Sequence, residues 1–389
     1  MPAPRLRRHR LLRNTSLGRL VVILVALIAL PAVGLESPTE DLGTHAPITI
    51  IITSGRMERS LESQTGAVSA LELSEEDRQG PAAGLGDLLD PVPGVFAASR
   101  FNGAQDLRLS VRGFGARGNF GIRGIRILLD GFPLTLPDGQ SALDDLDPAL
   151  IARAEVRRGP AGSLYGSSAG GVISLESPDL FASTGLFAGA STGSYGTYEG
   201  RLGYGSVYGD QALGAQASVR HSDGYRDHSK QEHRLVTLKY QGDSRNGDSL
   251  SAFLTAVDSP YALDPGGLTK EESSRDRRAA SPINRAFDAG EEVRQLRTGI
   301  ALTRPAGSGE IRLRGQAIGR DFENKLPFSA TELDRAVGTF SLELEQQYER
   351  VNTLWRWVAG VDLALQRDRR KRFLNDLGNE GATTADQRE

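Results

Sequence analysis

The sequence predicts a mixed α+β domain followed by antiparallel strands of an outer-membrane-type β-barrel, behind an export signal. Three observations carry this. Residues 47–180 alternate short β-branched runs with glycine-rich turns and sustain no 3.6-residue period. From about residue 184 apolar and polar side chains alternate with period two, the signature of strands with one apolar and one wet face. The connections between those strands also sort by length, short on one rim and long on the other, as in outer-membrane barrels.

The N-terminus comes first. Arg5, Arg7, Arg8, Arg10, Arg13 and Arg19 precede the apolar run Leu20–Leu30, and Pro31–Gly34 follows with small residues. This is the layout of a secretory signal peptide over 1–34, and the run is too short to span roughly 30 Å of hydrocarbon. Cleavage near Gly34 leaves 40 basic against 49 acidic residues, an exported and acidic protein. The 389 residues contain no cysteine, which excludes disulfides, cysteine-based metal centres and a thiol nucleophile. The net charge of -3 gives no case for nucleic-acid binding. A linker over 35–46 leads into the mixed domain.

Within 47–180, Ile48–Thr53 is a β-branched strand candidate. Glu75–Leu89 can hold short helices, stopped by Gly80-Pro81 and the Pro91–Gly94 stretch. Leu107–Arg112, Gly124–Asp130, Ala154–Arg157 and Gly171–Glu176 are further strand candidates. In the second half, 184–389, nine strands are expected, centred near 188, 201, 216, 237, 253, 298, 315, 343 and 360. Connections after the second, fourth, sixth and eighth are short. Those after the third, fifth and seventh are longer, and Asp258–Glu291 is the longest. Phe340, Leu342 and Leu344 face one way in Thr339–Tyr348, and Trp355, Trp357, Val361, Leu363 and Leu365 do so in Thr353–Arg367. Tyr348, Trp355 and Trp357 flank a short turn, where an interfacial aromatic girdle belongs. A soluble sandwich has no reason to sort loops by parity.

Five stretches taken together resemble the plug domain of TonB-dependent outer-membrane receptors: ITIIITSGR (48–56), LGDLLDPVPGV (85–95), LSVRGFG (109–115), ILLDGFPL (127–134) and ARAEVRRGPAGSLYGSSAGGVISL (152–175). The remainder resembles the start of that family's barrel, at the level of pattern. The resemblance implies a TonB box at Ile48, Thr49, Ile50, Ile51, Ile52, Thr53 and Ser54, an extended segment suited to pairing by strand addition. Arg112, Glu155 and Arg158 stand at the family's RG and E-x-x-RGP positions. They are expected in charged contacts that tie plug to wall or hold the plug sheet, since buried charges need partners. Gly113, Gly159, Gly166, Gly170 and Gly171 are expected at tight turns, Asp130-Gly131 at a hairpin turn, and Tyr165 within the same structural motif. Substrate would meet apical loops near 99–106, 115–123 and 134–141, with Arg100, Phe114, Arg117, Phe120 and Arg123 suited to an anionic, partly aromatic chelate.

The implied function is active uptake of a scarce solute, most often a ferric siderophore, by an outer-membrane receptor. Haem, cobalamin and carbohydrates are other solutes of the family. The implied partners are TonB with its inner-membrane energising complex, outer-membrane lipid, the barrel-assembly machinery and the solute, a small molecule such as a metal chelate. No resident cofactor or metal is expected, because iron would arrive as cargo. Leu35–Ala46 is too short for an extra signalling domain. The family's barrel has 22 strands, so nine strands are expected to be an N-terminal part of one. The alternatives are a passive porin or surface-binding barrel and, third, a soluble exported enzyme.

Other signals carry less. Gly113–Gly118 satisfies G-x-G-x-x-G, but a β-rich segment follows instead of a helix, so no dinucleotide site is expected. His221, His228 and His233, with Asp223 and Asp227, are expected in one long loop without metal-ligand spacing. Lys270–Arg278 reads as a solvated, mixed-charge loop. No catalytic constellation emerges, and an enzyme is not expected.

Overall fold

The structure, a computed structural model, describes residues 51–52, 56, 59–60, 66–74, 84–98, 102–105, 107–118, 121–351 and 353–389, all within one compact unit, Thr49–Glu389. The signal peptide, the linker, Ile48, Thr49, Ile50, Thr53, Ser54, Arg100 and Phe120 lie outside the described residues. β1 (Ile51–Ile52) pairs antiparallel with β2 (Arg59–Ser60).

The plug is built on a five-stranded mixed sheet. Its strands are β3 (Ala67–Glu72), β7 (Ile125–Leu129), β8 (Phe132–Pro133), β10 (Arg153–Arg158) and β11 (Gly171–Glu176), in the order β3-β10-β11-β7-β8. The β7–β11 pair is parallel and the others are antiparallel. β11 lies at the centre and is buried on both faces from Gly171 to Leu175, a stretch apolar but for Ser174. Ile173 and Leu175 enter the main core with Ile125, Ile127 and Val156, while Val172 packs on the opposite face with Leu128 and Ala161. Helix α1 (Leu85–Leu89) closes the core with Leu85, Leu88 and Leu89. Smaller pairs, β4 (Val95–Ala98) with β5 (Arg108–Val111) and β6 (Ile122–Arg123) with β9 (Gln140–Ser141), brace the loops, and α2 (Gly162–Tyr165) follows β10.

The second half is a ten-stranded antiparallel meander: β12 (Gly185–Thr192), β13 (Tyr198–Tyr208), β14 (Gln211–Ser222), β15 (Gln231–Asp243), β16 (Ser249–Leu263), β17 (Gly290–Ala306), β18 (Gly309–Leu326), β19 (Ser329–Arg350), β20 (Thr353–Asp376) and β21 (Asn379–Arg388). Each strand pairs with its sequence neighbour, and β12 and β21 are the edges, so the sheet is an open arc of an incomplete barrel. Its outward residues are apolar through the middle, among them Leu213, Leu254, Ile300, Phe340, Leu342 and Leu363, all exposed.

The structure corrects four sequence expectations. There are ten strands, not nine: the ninth runs on to Asp376, and polar residues 379–388 form the tenth. The seventh connection is a turn at 327–328, because β18 and β19 stay paired far past their apolar stretch. Ladder hydrogen bonds continue wherever both faces are wet, and polar composition alone does not end a strand. Lys270–Arg275 is a helix, α3, where a solvated loop was expected; Thr269 and Glu272 form a reciprocal capping box. A further short helix, α4 (Pro282–Ala286), shares the 264–289 connection. Finally, the histidines do not share a loop: His221 is in β14 and stacks on Tyr198, His233 is in β15, and His228 alone is in the connection, facing the Ala289 carbonyl at 3.0 Å.

Candidate functional site

The plug meets the wall along segment 130–147, which carries five aspartates. Each faces a cation on the inner side of a different strand. Asp130 accepts from Lys239 Nζ at 2.7 Å, Asp138 from Arg335 at 2.9 Å and Asp144 from Arg320 at 2.6 Å. Asp145 pairs with Arg297 in almost complete burial, and Asp147 lies 3.7 Å from Arg201. Between them Gln316 donates to the Pro133 carbonyl at 3.0 Å, His233 contacts the Asp144 carbonyl at 2.7 Å, and Phe132 meets Phe253 edge to face at 5.0 Å. Leu136 fills a small apolar patch with Ile318 and Val337.

Strand alternation places these side chains. On β17 to β19 one parity points outward with Leu296, Ile300, Phe340 and Leu342, and the other brings Arg297, Gln316, Arg320 and Arg335 to the plug. Burial alone would raise the Asp144 pKa, but the Arg320 guanidinium beside it outweighs that and holds the carboxyl below its ordinary 3.8. At Asp130 burial likewise pushes up, and Lys239 with two Ser177 hydrogen bonds brings the value below 3.8.

The expected structural residues fall into two groups. Glu155 is fully buried in β10 and pairs with Arg153 at 3.0 Å. Arg158 donates to the Pro93 carbonyl at 2.6 Å and to Ser69 at 3.0 Å, joining β10 to β3 and to the turn before β4. Both act inside the plug. Arg112 differs from the expectation of a buried charged contact: its side chain is exposed, and its φ of 51° places it in the turn, where its N–H donates to the Gly94 carbonyl. Gly113, Gly159 and Gly166 also have positive φ. Asp130-Gly131 joins β7 to β8, and a Cβ on Gly131 would stand 2.9 Å from Arg314 Nε. At Gly171 a Cβ would sit 2.2 Å from the Arg157 carbonyl oxygen, and at Gly170 one would strike Phe114. Tyr165 lies under the Arg56 guanidinium, and burial pushes its hydroxyl up to about 12.

Three candidate substrate residues are described. Phe114, Arg117 and Arg123 are exposed, and Arg123 donates to the Asp138 carbonyl and to Gln140, each at 3.2 Å. Asn102 reaches Asp264, in the long connection after β16, at 2.8 Å. These plug loops therefore share the long-loop end with Asp138. Sequence reasoning missed the acid–base row altogether. Its signals were the closely spaced acids of ALDDLDPAL (142–150) and the arginines on the polar parity of β17 to β19.

Residues 60–173 match the family described as TonB-dependent Receptor Plug Domain. The chain is 36% identical over 178 residues to a hemin receptor of Yersinia pestis, covering 45% of this chain and 24% of that protein. It is 34% identical over 174 residues to a hemin receptor of Yersinia enterocolitica, covering 44% and 23%. The fold is similar to the unliganded ferric citrate transporter FecA, with a TM-score of 0.65, 17% identity and coverage of 84% of this chain and 51% of that one. The chain thus spans about a quarter of the length of these curated relatives and about half of the solved receptor.

Proposed function

We propose that the chain, whose residues 60–173 match the plug domain of TonB-dependent receptors, forms the plug and first barrel strands of an outer-membrane receptor for energised uptake of a ferric complex. The observation that supports this most is the seating of a compact plug on the inner wall through reversible ion pairs. Such a plug blocks passive flow yet can be displaced. Exposed Arg117, Arg123 and Phe114 at the long-loop end suit an anionic chelate with aromatic parts, which makes a ferric siderophore the first reading. Haemin is the second, favoured by the hemin receptors that share up to 36% identity with this chain. Ile48–Ser54 would offer TonB a strand to pair with. Each backbone hydrogen bond is worth about 1 kcal/mol net, so a run of them makes a grip that can be pulled and released. No helix among the described residues is long and apolar enough to cross a membrane, and the alternating strands would do so instead.

The test is growth of iron-limited cells that depend on this receptor, supplied with ferric siderophore or with haemin. Growth on one of them, abolished when Ile48–Ser54 is deleted, is the expected result. Uptake that survives the deletion would instead identify a passive porin.

A further inference from the structure

A cavity of about 490 Å³ opens where the plug runs into the wall, near the short turn at 209–210. It lies between Leu150 of the plug, the connection 177–185 that joins β11 to β12, and the inward face of β12 to β15. Exposed residues 182–185 form its rim. Glycines on the wall let the connection fold down closely: a Cβ at Gly214 would stand 2.7 Å from Leu180, and one at Gly205 would strike the Ser183 carbonyl. Strand register puts three polar side chains together on the wall side. Gln216 is paired with Gly203 and Thr237, and Arg201 and Lys239 are its diagonal neighbours on the flanking strands. Gln216 Nε2 and Arg201 Nε are both buried without an acceptor among the described residues. Lys239 donates to Asp130 and to Ser177, which leaves one of its three N–H bonds uncommitted. The charges are nearly balanced, since Asp130 offsets Lys239 and Glu199 lies 2.6 Å from Arg201. Asp179, in the same lining, is exposed and accepts from the Phe181 N–H.

We propose that this cavity is a binding site for a small monocarboxylate with an apolar tail. The carboxylate accepts from Gln216, Arg201 and Lys239, and the tail lies along Leu150, Leu180 and Phe187. One carboxylate has acceptor sites for all three donors, and hydrogen bonds of this kind favour its charged form. A phosphate or a multiply charged chelate does not fit, because the two cations already have their partners and further negative charge would go unmatched. The volume falls within the range of about 300–1,000 Å³ typical of small-molecule sites. The ligand is therefore a different molecule from the proposed ferric cargo, at the end of the chain's strands away from Arg117 and Arg123. It touches plug, connection and wall together, so its binding stiffens the covalent joint between the two halves.

The test is equilibrium dialysis of the purified full chain, held in amphipol, against carbon-14 octanoate, with carbon-14 octanol as the uncharged analogue. One saturable octanoate per chain is expected. Gln216→Glu sets a second carboxylate beside the first and should weaken octanoate about tenfold while leaving octanol unchanged. Leu180→Trp narrows the apolar side from a connection outside the sheet and should weaken both. Unchanged β-sheet circular dichroism confirms that each variant is folded. Chymotrypsin cleavage within 180–187 reports the joint, and octanoate at ten times its dissociation constant should slow it about tenfold. Lack of saturable octanoate binding would overturn the site. Binding that Gln216→Glu leaves intact would overturn the carboxylate assignment, and binding that Leu180→Trp leaves intact would place the molecule elsewhere. Cleavage that octanoate leaves unchanged would overturn the stiffening of the joint.

Discussion

Arg297 and Asp145 show what a single residue decides in this plug. The guanidinium is 2% exposed, lies over the Phe253 ring and has the Asp145 carboxylate as its charge partner. Removing one member leaves the other charged and dry. Arg297→Met should therefore destabilise plug seating by about 3–5 kcal/mol, whereas Arg297→Met with Asp145→Leu should recover most of that loss. Denaturant midpoints of the detergent-solubilised protein measure both, and equal losses in the single and double variants would contradict the assignment. Gly171 sets a backbone limit of a different kind. With φ at 142° and a Cβ position 2.2 Å from the Arg157 carbonyl, Gly171→Ala has no relaxed geometry. It should lower stability by about 2 kcal/mol or more and expose the 159–170 turn to protease.

At the scale of the element, β20 carries both tryptophans of the chain, Trp355 and Trp357, at the short-turn end. Trp355 stacks on Tyr348 of β19, the rings 6.3 Å apart. Above them Val361, Leu363 and Leu365 face outward and exposed, a surface that lipid would cover favourably under the proposed outer-membrane placement. Tryptophan fluorescence therefore reports one strand. It should be quenched strongly by lipids brominated near the head group and weakly by lipids brominated at the chain ends. The reverse order would place the girdle in the bilayer centre. The alternation that reveals this strand is legible because lipid and lumen impose opposite demands on successive side chains. The hairpin of β18 with β19 was not legible beyond its apolar stretch. There Asp321, Glu323, Glu332 and Asp334 are polar in a sequence that still pairs, residue for residue, across the turn.

For the whole molecule, the ion pairs make plug seating depend on pH. Asp130 and Asp144 have folded-state pKa values below the ordinary 3.8, so their stabilising contribution is fully present above that value. It is lost as pH falls through the depressed values. The plug should thus become protease-sensitive in acid below about pH 4, while the strand ladder, held by backbone bonds, keeps its β-sheet circular dichroism. Asp144→Asn should flatten that pH dependence at some cost in stability at neutral pH. A plug equally resistant at pH 3 and pH 7 would argue against the ion pairs as its main fastening.

The two-part architecture, the position of β7, β10 and β11 and the parity of the barrel strands are legible in the sequence, because they follow from periods of two and from glycine-marked turns within a few residues. Which charges meet is a matter of the three-dimensional arrangement. Asp145 and Arg297 are separated by 152 residues and Asp138 and Arg335 by 197. No local pattern links them. Their pairing depends on strand register and on the path of segment 130–147 up and back down the inner wall, and these exist only once the sheet has curved around the plug.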